Sequence, residues 1–307
     1  MDIALIITEE LKCRKEQVDA AIKLIDEGNT IPFIARYRKE ATGALNDEQL
    51  RNLDERLTYL RNLAEKKETV IASITEQEKM TPELKKAIDE AMTMVALDDL
   101  YRPYRPKRKT RATVAKEKGL QGLADIIMLQ FLDHPLEEEA GKYINAEKEV
   151  LTTEDAIAGA MDIIAENISD NADYRKSIRE RTSARGNLIS TAKDPEAESV
   201  YEMYYDFSSP VSKMTGHRTL AINRGEKEKF LTVKLEAPVD EIIGYLEKQN
   251  IVRDNKYTTD VLKAAIADSY DRLIAPAIER EIRNQLTEEA EDGAIKVFGT
   301  HLKQLLM

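Results

Sequence analysis

Cysteine is almost missing from this chain: Cys13 is the only one in 307 residues. That excludes an intrachain disulfide and any metal site built on several thiolates. Tryptophan is absent, and Gly and Pro number only 12 and 9, which disfavours the turn-rich architecture of a sandwich or barrel. No apolar run reaches membrane-spanning length. The N-terminal "MDIALIITEELKCRKEQ" has no basic region ahead of its short apolar run and no cleavage signature. Histidine is scarce too. His134 precedes Pro135, where a turn is expected, His301 stands near the last residues, and only His217 lies in dense polar surroundings. Metal centres need clustered ligands, so no metal and no cofactor is expected. What is abundant is Leu, Ile, Ala, Glu and Lys, within 42% hydrophobic and 34% charged residues. That composition favours long solvated helices. The expected fold is mainly α and multihelical, in a cytoplasmic protein with no membrane contact.

Periodicity places the elements. "KEQVDAAIKLIDEG" sets Val18, Ala21, Ile22 and Ile25 at helical spacing with Gly28 as a stop. A second short helix runs from Pro32 to about Lys39, so the pair resembles a helix-turn-helix hairpin, a weak signal for DNA binding. Asn46 caps a helix of roughly 30 residues opened by Asp47 and Glu48. Its Leu50, Leu53, Leu57, Leu60, Ala64, Ile71 and Ile74 keep a near-heptad rhythm. That stripe packs within the protein or against a partner helix, and the charges on the other faces favour the former. Thr81 and Pro82 open another helix. Further helices are expected at 120–132, 153–168 and 172–184, with another start at "KDPEAESVYEMYYDF". "KFLTVKLEAP" alternates like a half-buried strand, and the preceding "RTLAINRG" supplies an antiparallel mate, giving one small β-hairpin-like element near 220–236. From Pro238 onward the pattern is helical again, with a start at Thr258-Thr259 and a kink or joint at Pro276. The change of texture divides the chain into a helical region, 1–195, and a helical region with a short β element, 196–307.

One stretch contradicts the overall charge. Between Tyr101 and Lys118 stand eight Lys and Arg against the single acid Glu117. The stretch carries +7, which leaves −18 for the rest of a chain of net charge −11. Such a contrast needs either an external anion or an internal acidic partner. Pro103 and Pro106 push Arg102 and Arg105 toward extended conformations. A polyproline helix would then align Arg102, Arg105 and Arg108 on one ridge and Tyr101, Tyr104 and Lys107 on another. Together with Lys109 and Arg111, such a strap could clamp phosphates and stack bases. The competing reading is an extended crossing whose tyrosines pack and whose arginines pair with acids. The polar phrase "TGHRTLAINRGE" adds His217, Arg218 and Arg224 as secondary candidates. No phosphate loop is present, since "GAIKVFGTH" has the wrong spacing. Asp98 and Asp99, being adjacent, diverge on a helix and suit an arginine better than a metal. No active site is expected, so the chain reads as a non-enzyme.

The phrases "GNTIPFIARYRKEATGAL", "LYRPYRPKRKTRATVAKEKGL" and "GHRTLAINRGEKEKFL", in that order, resemble the N-terminal part of the Tex family of bacterial transcription accessory proteins. "AIAGAMDIIAENISDNADYRKSIRE" is similar to that family's central helical region. The resemblance implies a scaffold for RNA or DNA binding in the context of the transcription machinery. It also implies that further domains follow in the family: a resolvase-like domain, helix-hairpin-helix elements and an RNA-binding OB-fold domain. Ending at "HLKQLLM", this chain corresponds to an N-terminal piece, for which only weak nucleic-acid binding is expected. The alternative is a protein-interaction scaffold in which the basic strap is purely structural.

Overall fold

The computed structural model describes residues 1–306, and their side chains except at 300, 301 and 303–306; the side chain of His301 lies outside the described residues. The chain forms two compact units, one ending at Arg105 and the other beginning at Pro106. They part inside the basic stretch, a different place from the division drawn near 195.

The N-terminal unit contains α1 (Ile3–Leu11), α2 (Lys15–Asp26), α3 (Ile31–Tyr37), α4 (Asp47–Glu76), α5 (Pro82–Glu90) and α6 (Met94–Tyr101). α4 begins where its capping residues dictate. Gln49 N–H donates to Asn46 Oδ1 at 2.8 Å, and Asn46 N–H donates to Gln49 Oε1 at 3.0 Å, a closed capping box. Its apolar stripe is buried within the unit as Leu50, Leu53, Leu57, Leu60, Leu63, Val70 and Ile74. Leu63 and Val70 replace the expected Ala64 and Ile71, which are only partly covered. The reason is that the buried face turns along the helix. Its first half meets α1, α2 and α3, and its second half meets α5 and α6. One cation is caught in the stripe: Lys67 is 6% exposed and donates to the Asp89 carbonyl at 2.7 Å. Burial pushes its pKa down, and the Asp89 charge offsets this only in part.

The second unit contains α7 (Arg111–Glu117), α8 (Gln121–Leu129), α9 (Leu136–Gly141), α10 (Thr153–Ser169), α11 (Ala172–Arg185), α12 (Gly216–Lys227), α13 (Val239–Asn250), α14 (Thr259–Asp268) and α15 (Ala275–Leu306). α10 is the axis of its core. Ala156, Ala160, Ile163, Ile164 and Ile168 are buried against α7, α8, α9 and α14. Between α14 and α15, Ser269–Ile274 forms a π-helical turn in which Ala275 N–H donates to the Tyr270 carbonyl. Pro276 has no N–H and its ring crowds the preceding turn, so the widened turn is the joint that Pro276 demands. Ser269 Oγ ties it to the Ala165 carbonyl at 2.8 Å.

The β element differs from the sequence expectation in size and partners. β1 (Asn187–Ala192), β2 (Asp206–Pro210) and β3 (Leu231–Glu236) form an antiparallel sheet in the order β2-β1-β3. β3 therefore pairs with β1, Ser190 facing Val233, and not with residues 218–225, which are helical in α12. The buried residues of α12 are Thr219, Ile222 and Gly225, a three-residue spacing that suits a helix face and not a strand. Gly225 is no turn: a Cβ there would stand 2.6 Å from Leu231 Cδ1, so glycine lets β3 approach the helix. The helix expected from "KDPEAESVYEMYYDF" is also replaced. Tyr201 and Tyr204 are drawn into the sheet's own cluster with Leu188, Ile222, Leu231 and Val233, around a 3₁₀ turn at Glu202–Tyr204.

Candidate nucleic-acid interface

The basic stretch divides by role. In the first unit, Tyr101 closes α6 and shares a 3.0 Å hydrogen bond with Ser73 Oγ. Tyr104 packs on the same core, and its carbonyl accepts from Gln77 Nε2 at 2.9 Å. Both rings are thus engaged in the fold and form no open platform. Arg102 has helical backbone angles and Arg102–Tyr104 is a 3₁₀ turn, so the predicted polyproline ridge of Arg102, Arg105 and Arg108 does not form. Pro103 is accommodated because the first positions of a helical turn need no N–H donor. Arg105 is extended. Its guanidinium donates to Asp98 at 3.1 Å and lies 5.6 Å from the Tyr101 ring centre. Asp98 therefore holds an arginine, as the adjacent-acid argument expects, and also Lys66 at 2.7 Å.

In the second unit, Lys107 is drawn inward. It binds Asp170 and lies 3.2 Å from Glu166, both on the last turns of α10 and its cap. Arg108 and Lys109, directly after it, are exposed and make no hydrogen bond or ion pair among the described residues. Thr110 then caps α7: Thr113 N–H donates to its hydroxyl at 3.1 Å. Arg111, exposed in the first turn, stands beside a cleft of about 520 Å³ that also receives Lys109 and Lys118. Sequence reasoning passed over Lys118. Its spacing of seven from Arg111, two helical turns, was the signal.

The cleft is not uniformly positive. Asp155, Asp162 and Glu149 share its wall. Burial pushes the Asp162 carboxyl up, while Arg272 and Arg111 pull it down. Arg272 reaches Asp162 at 3.1 Å and is bonded to Asp268 at 2.5 Å. The available cations are therefore Arg108 and Lys109, with Arg111 at the cleft mouth; Lys118 is engaged there, donating to the Glu149 carbonyl at 3.1 Å and lying 3.9 Å from its carboxylate.

The secondary candidates share α12 and do not line that cleft. His217, Arg218 and Arg224 are all exposed. The His217 ring lies 3.4 Å from Thr215 Oγ1, and Arg218 lies 5.9 Å from the Phe207 ring centre. His134 is held between Asp133 at 2.8 Å and Glu139 at 3.1 Å. Those hydrogen bonds, that of Asp133 first, push its pKa up. Among the described residues no group of three or more His, Cys, Asp or Glu could hold a metal ion. Nor, among the described residues, is any helix long and apolar enough to cross a membrane.

The chain is thus a helical N-terminal unit followed by a helical core that carries a small antiparallel sheet. Residues 1–75 match the family described as Tex-like protein N-terminal domain, and residues 133–298 match that described as Tex central region-like. The second match covers more than half of the chain, and the chain belongs to the Tex family. It is 48% identical over 304 residues to the Bacillus subtilis protein YdcI, a match covering 98% of this chain and 42% of that protein. It is 38% identical over 315 residues to the transcriptional accessory protein Tex of Neisseria gonorrhoeae, covering 100% of this chain and 41% of that protein. The human S1 RNA-binding domain-containing protein 1 is 33% identical over 303 residues, 93% of this chain and 30% of that protein. The chain thus spans about two-fifths of the bacterial relatives' length and less of the human one.

Proposed function

We propose that this chain is the helical scaffold of a transcription accessory protein and supplies an auxiliary contact to RNA or DNA through Arg108, Lys109 and Arg111. The carrying observation is that Arg108 and Lys109 stand exposed without acidic partners in a chain of net charge −11, beside an Arg105 and a Lys107 that are both engaged. Cations left over from folding in an acidic protein are suited to an external polyanion. The relatives' names, a transcriptional accessory protein and an S1 RNA-binding domain-containing protein, support the same class of partner. The chain acts by binding, in this reading, and not by catalysis.

The test is the triple variant R108A/K109A/R111A of the whole chain. Each single-strand phosphate contact contributes roughly 0.7 to the salt slope, so the slope should shrink by about 2. Thermal stability should stay near wild type, because none of the three makes an ion pair and Asp162, on which Arg111 acts at longer range, keeps Arg272 at 3.1 Å. An unchanged slope would reject this reading. It would leave the second one, a protein-interaction scaffold, which the internal engagement of Tyr101, Tyr104, Arg105 and Lys107 favours. Turnover of nucleic acid or nucleotide by the pure chain, abolished by a point change within it, would overturn the non-catalytic reading.

A further inference from the structure

The basic stretch does not account for a second group of cations, in the N-terminal unit, that surrounds two exposed rings. α3 buries Ile34 and turns Phe33 and Tyr37, one turn apart, to the outside, 37% and 61% exposed. Their ring centres are 5.2 Å apart at 47°, and the Arg38 guanidinium lies 5.3 Å from the Phe33 ring centre. Arg36, Arg38 and Lys39 are all exposed, and Glu40 is the only acid between Ile31 and Thr42. The side chains of Arg36 and Lys39 and the Tyr37 hydroxyl make no hydrogen bond or ion pair among the described residues. Residues 36–41 line an open cleft of about 420 Å³.

The surface is held from beneath. Thr42 is fully buried, with its hydroxyl donating to the Arg38 carbonyl at 3.3 Å. Gln17 Nε2 donates to the Gly43 carbonyl at 2.8 Å. Gly43 takes a left-handed φ of 57° directly over Gln17, whose Cγ would meet an added Cβ at 3.0 Å. The turn that presents Arg38 and Lys39 is thus fixed by α2 before any ligand arrives, which lowers the ordering cost of binding.

Part of this has a purely structural use. Cations near a helix C-terminus complement its dipole, and Arg38 covers one ring. Neither explains a tyrosine ring left this open, nor two further cations without partners. Exposed rings flanked by cations are the features of a single-strand platform, where bases stack on the rings and phosphates meet the charges. Rings and arginines also suit a protein interface; the excess of cations over the single acid Glu40, with Arg36 and Lys39 unpaired among the described residues, favours a phosphate-bearing strand.

We infer that the C-terminal end of α3 and its following turn contact single-stranded nucleic acid, with bases stacked on Tyr37 and Phe33 and phosphates on Arg36 and Lys39. Duplex bases are already stacked on one another, so the rings select single strands. This surface lies in a different unit from Arg108, Lys109 and Arg111 and stands or falls separately from them. The test uses the whole chain with labelled oligo-uridine, labelled oligo-deoxythymidine and a duplex of matching length, the first two separating RNA from DNA. Y37A should weaken single-strand binding about tenfold, whereas Y37F, which keeps the ring, should bind as wild type. R36A/K39A should shrink the single-strand salt slope by about 1.4. Melting temperatures should hardly move, since all three side chains are exposed. Wild-type affinity in Y37A and a wild-type slope in R36A/K39A would overturn the inference, as would equal losses for Y37A and Y37F. The same two results define a surface for some other partner, whatever R108A/K109A/R111A shows.

Discussion

Replacing Lys107 by Met separates an internal strap from a phosphate ligand most directly. The methionine keeps most of the aliphatic stem and removes only the ammonium. In the native protein that ammonium meets Asp170 and Glu166, whose side chains are 11% and 12% exposed, while Lys107 itself is 23% exposed. Removing one partner of a fully buried pair costs about 3–5 kcal/mol. Here solvent reaches all three groups and Asp170 has a further partner, so a loss of about 2 kcal/mol is the reasoned figure. For a unit of this size, about 2–4 °C per kcal/mol applies, which gives a fall of roughly 4–8 °C in the transition of the second unit. Calorimetry on wild type, K107M and K107M/E166Q measures it. The double variant should recover part of the loss, because neutralising Glu166 relieves two carboxylates that face each other without their cation. Unchanged melting in K107M together with a salt slope reduced by about 0.7 would refute the reasoning and make Lys107 a phosphate contact.

Two further outcomes follow from buried positions. Lys67 has a lowered pKa in the folded state, so its charged form is penalised by folding; the penalty is full below that lowered pKa and disappears as pH rises toward 10.5. Urea unfolding of wild type and K67M over alkaline pH should therefore show wild type gaining relative to K67M as pH rises, and parallel curves would contradict the shift. At Gly225, an added methyl would meet Leu231 Cδ1 at 2.6 Å and Tyr201 Cγ at 3.1 Å. G225A should destabilise by about 1–2 kcal/mol despite alanine's better helix propensity; a raised melting temperature would show that Leu231 yields freely.

The local signals of this sequence were decisive where one helix could satisfy them alone. Asn46 and Thr81 cap helices from within four residues, and the starts of α4 and α5 were accordingly legible. The mainly α class followed from the same signals. Failures occurred where a distant segment decided the outcome. "RTLAINRG" became helix because β1, some thirty residues earlier, took the place beside β3, and Gly225 served close packing and not a turn. In the basic stretch, composition revealed an excess of charge but could not apportion it. Arg105 and Lys107 look no different in sequence from Arg108 and Lys109.

The sequence by itself determined the helical class, several caps and the presence of a segment with far more cations than acids, because each depends on composition or on neighbours a few residues apart. Only the tertiary structure decided which cations remain free for a ligand. That choice rests on where Asp98 of α6 and Glu166 and Asp170 of the α10 end come to lie. A charge is neutralised by the acid nearest in space, and sequence distance says little about which acid that is.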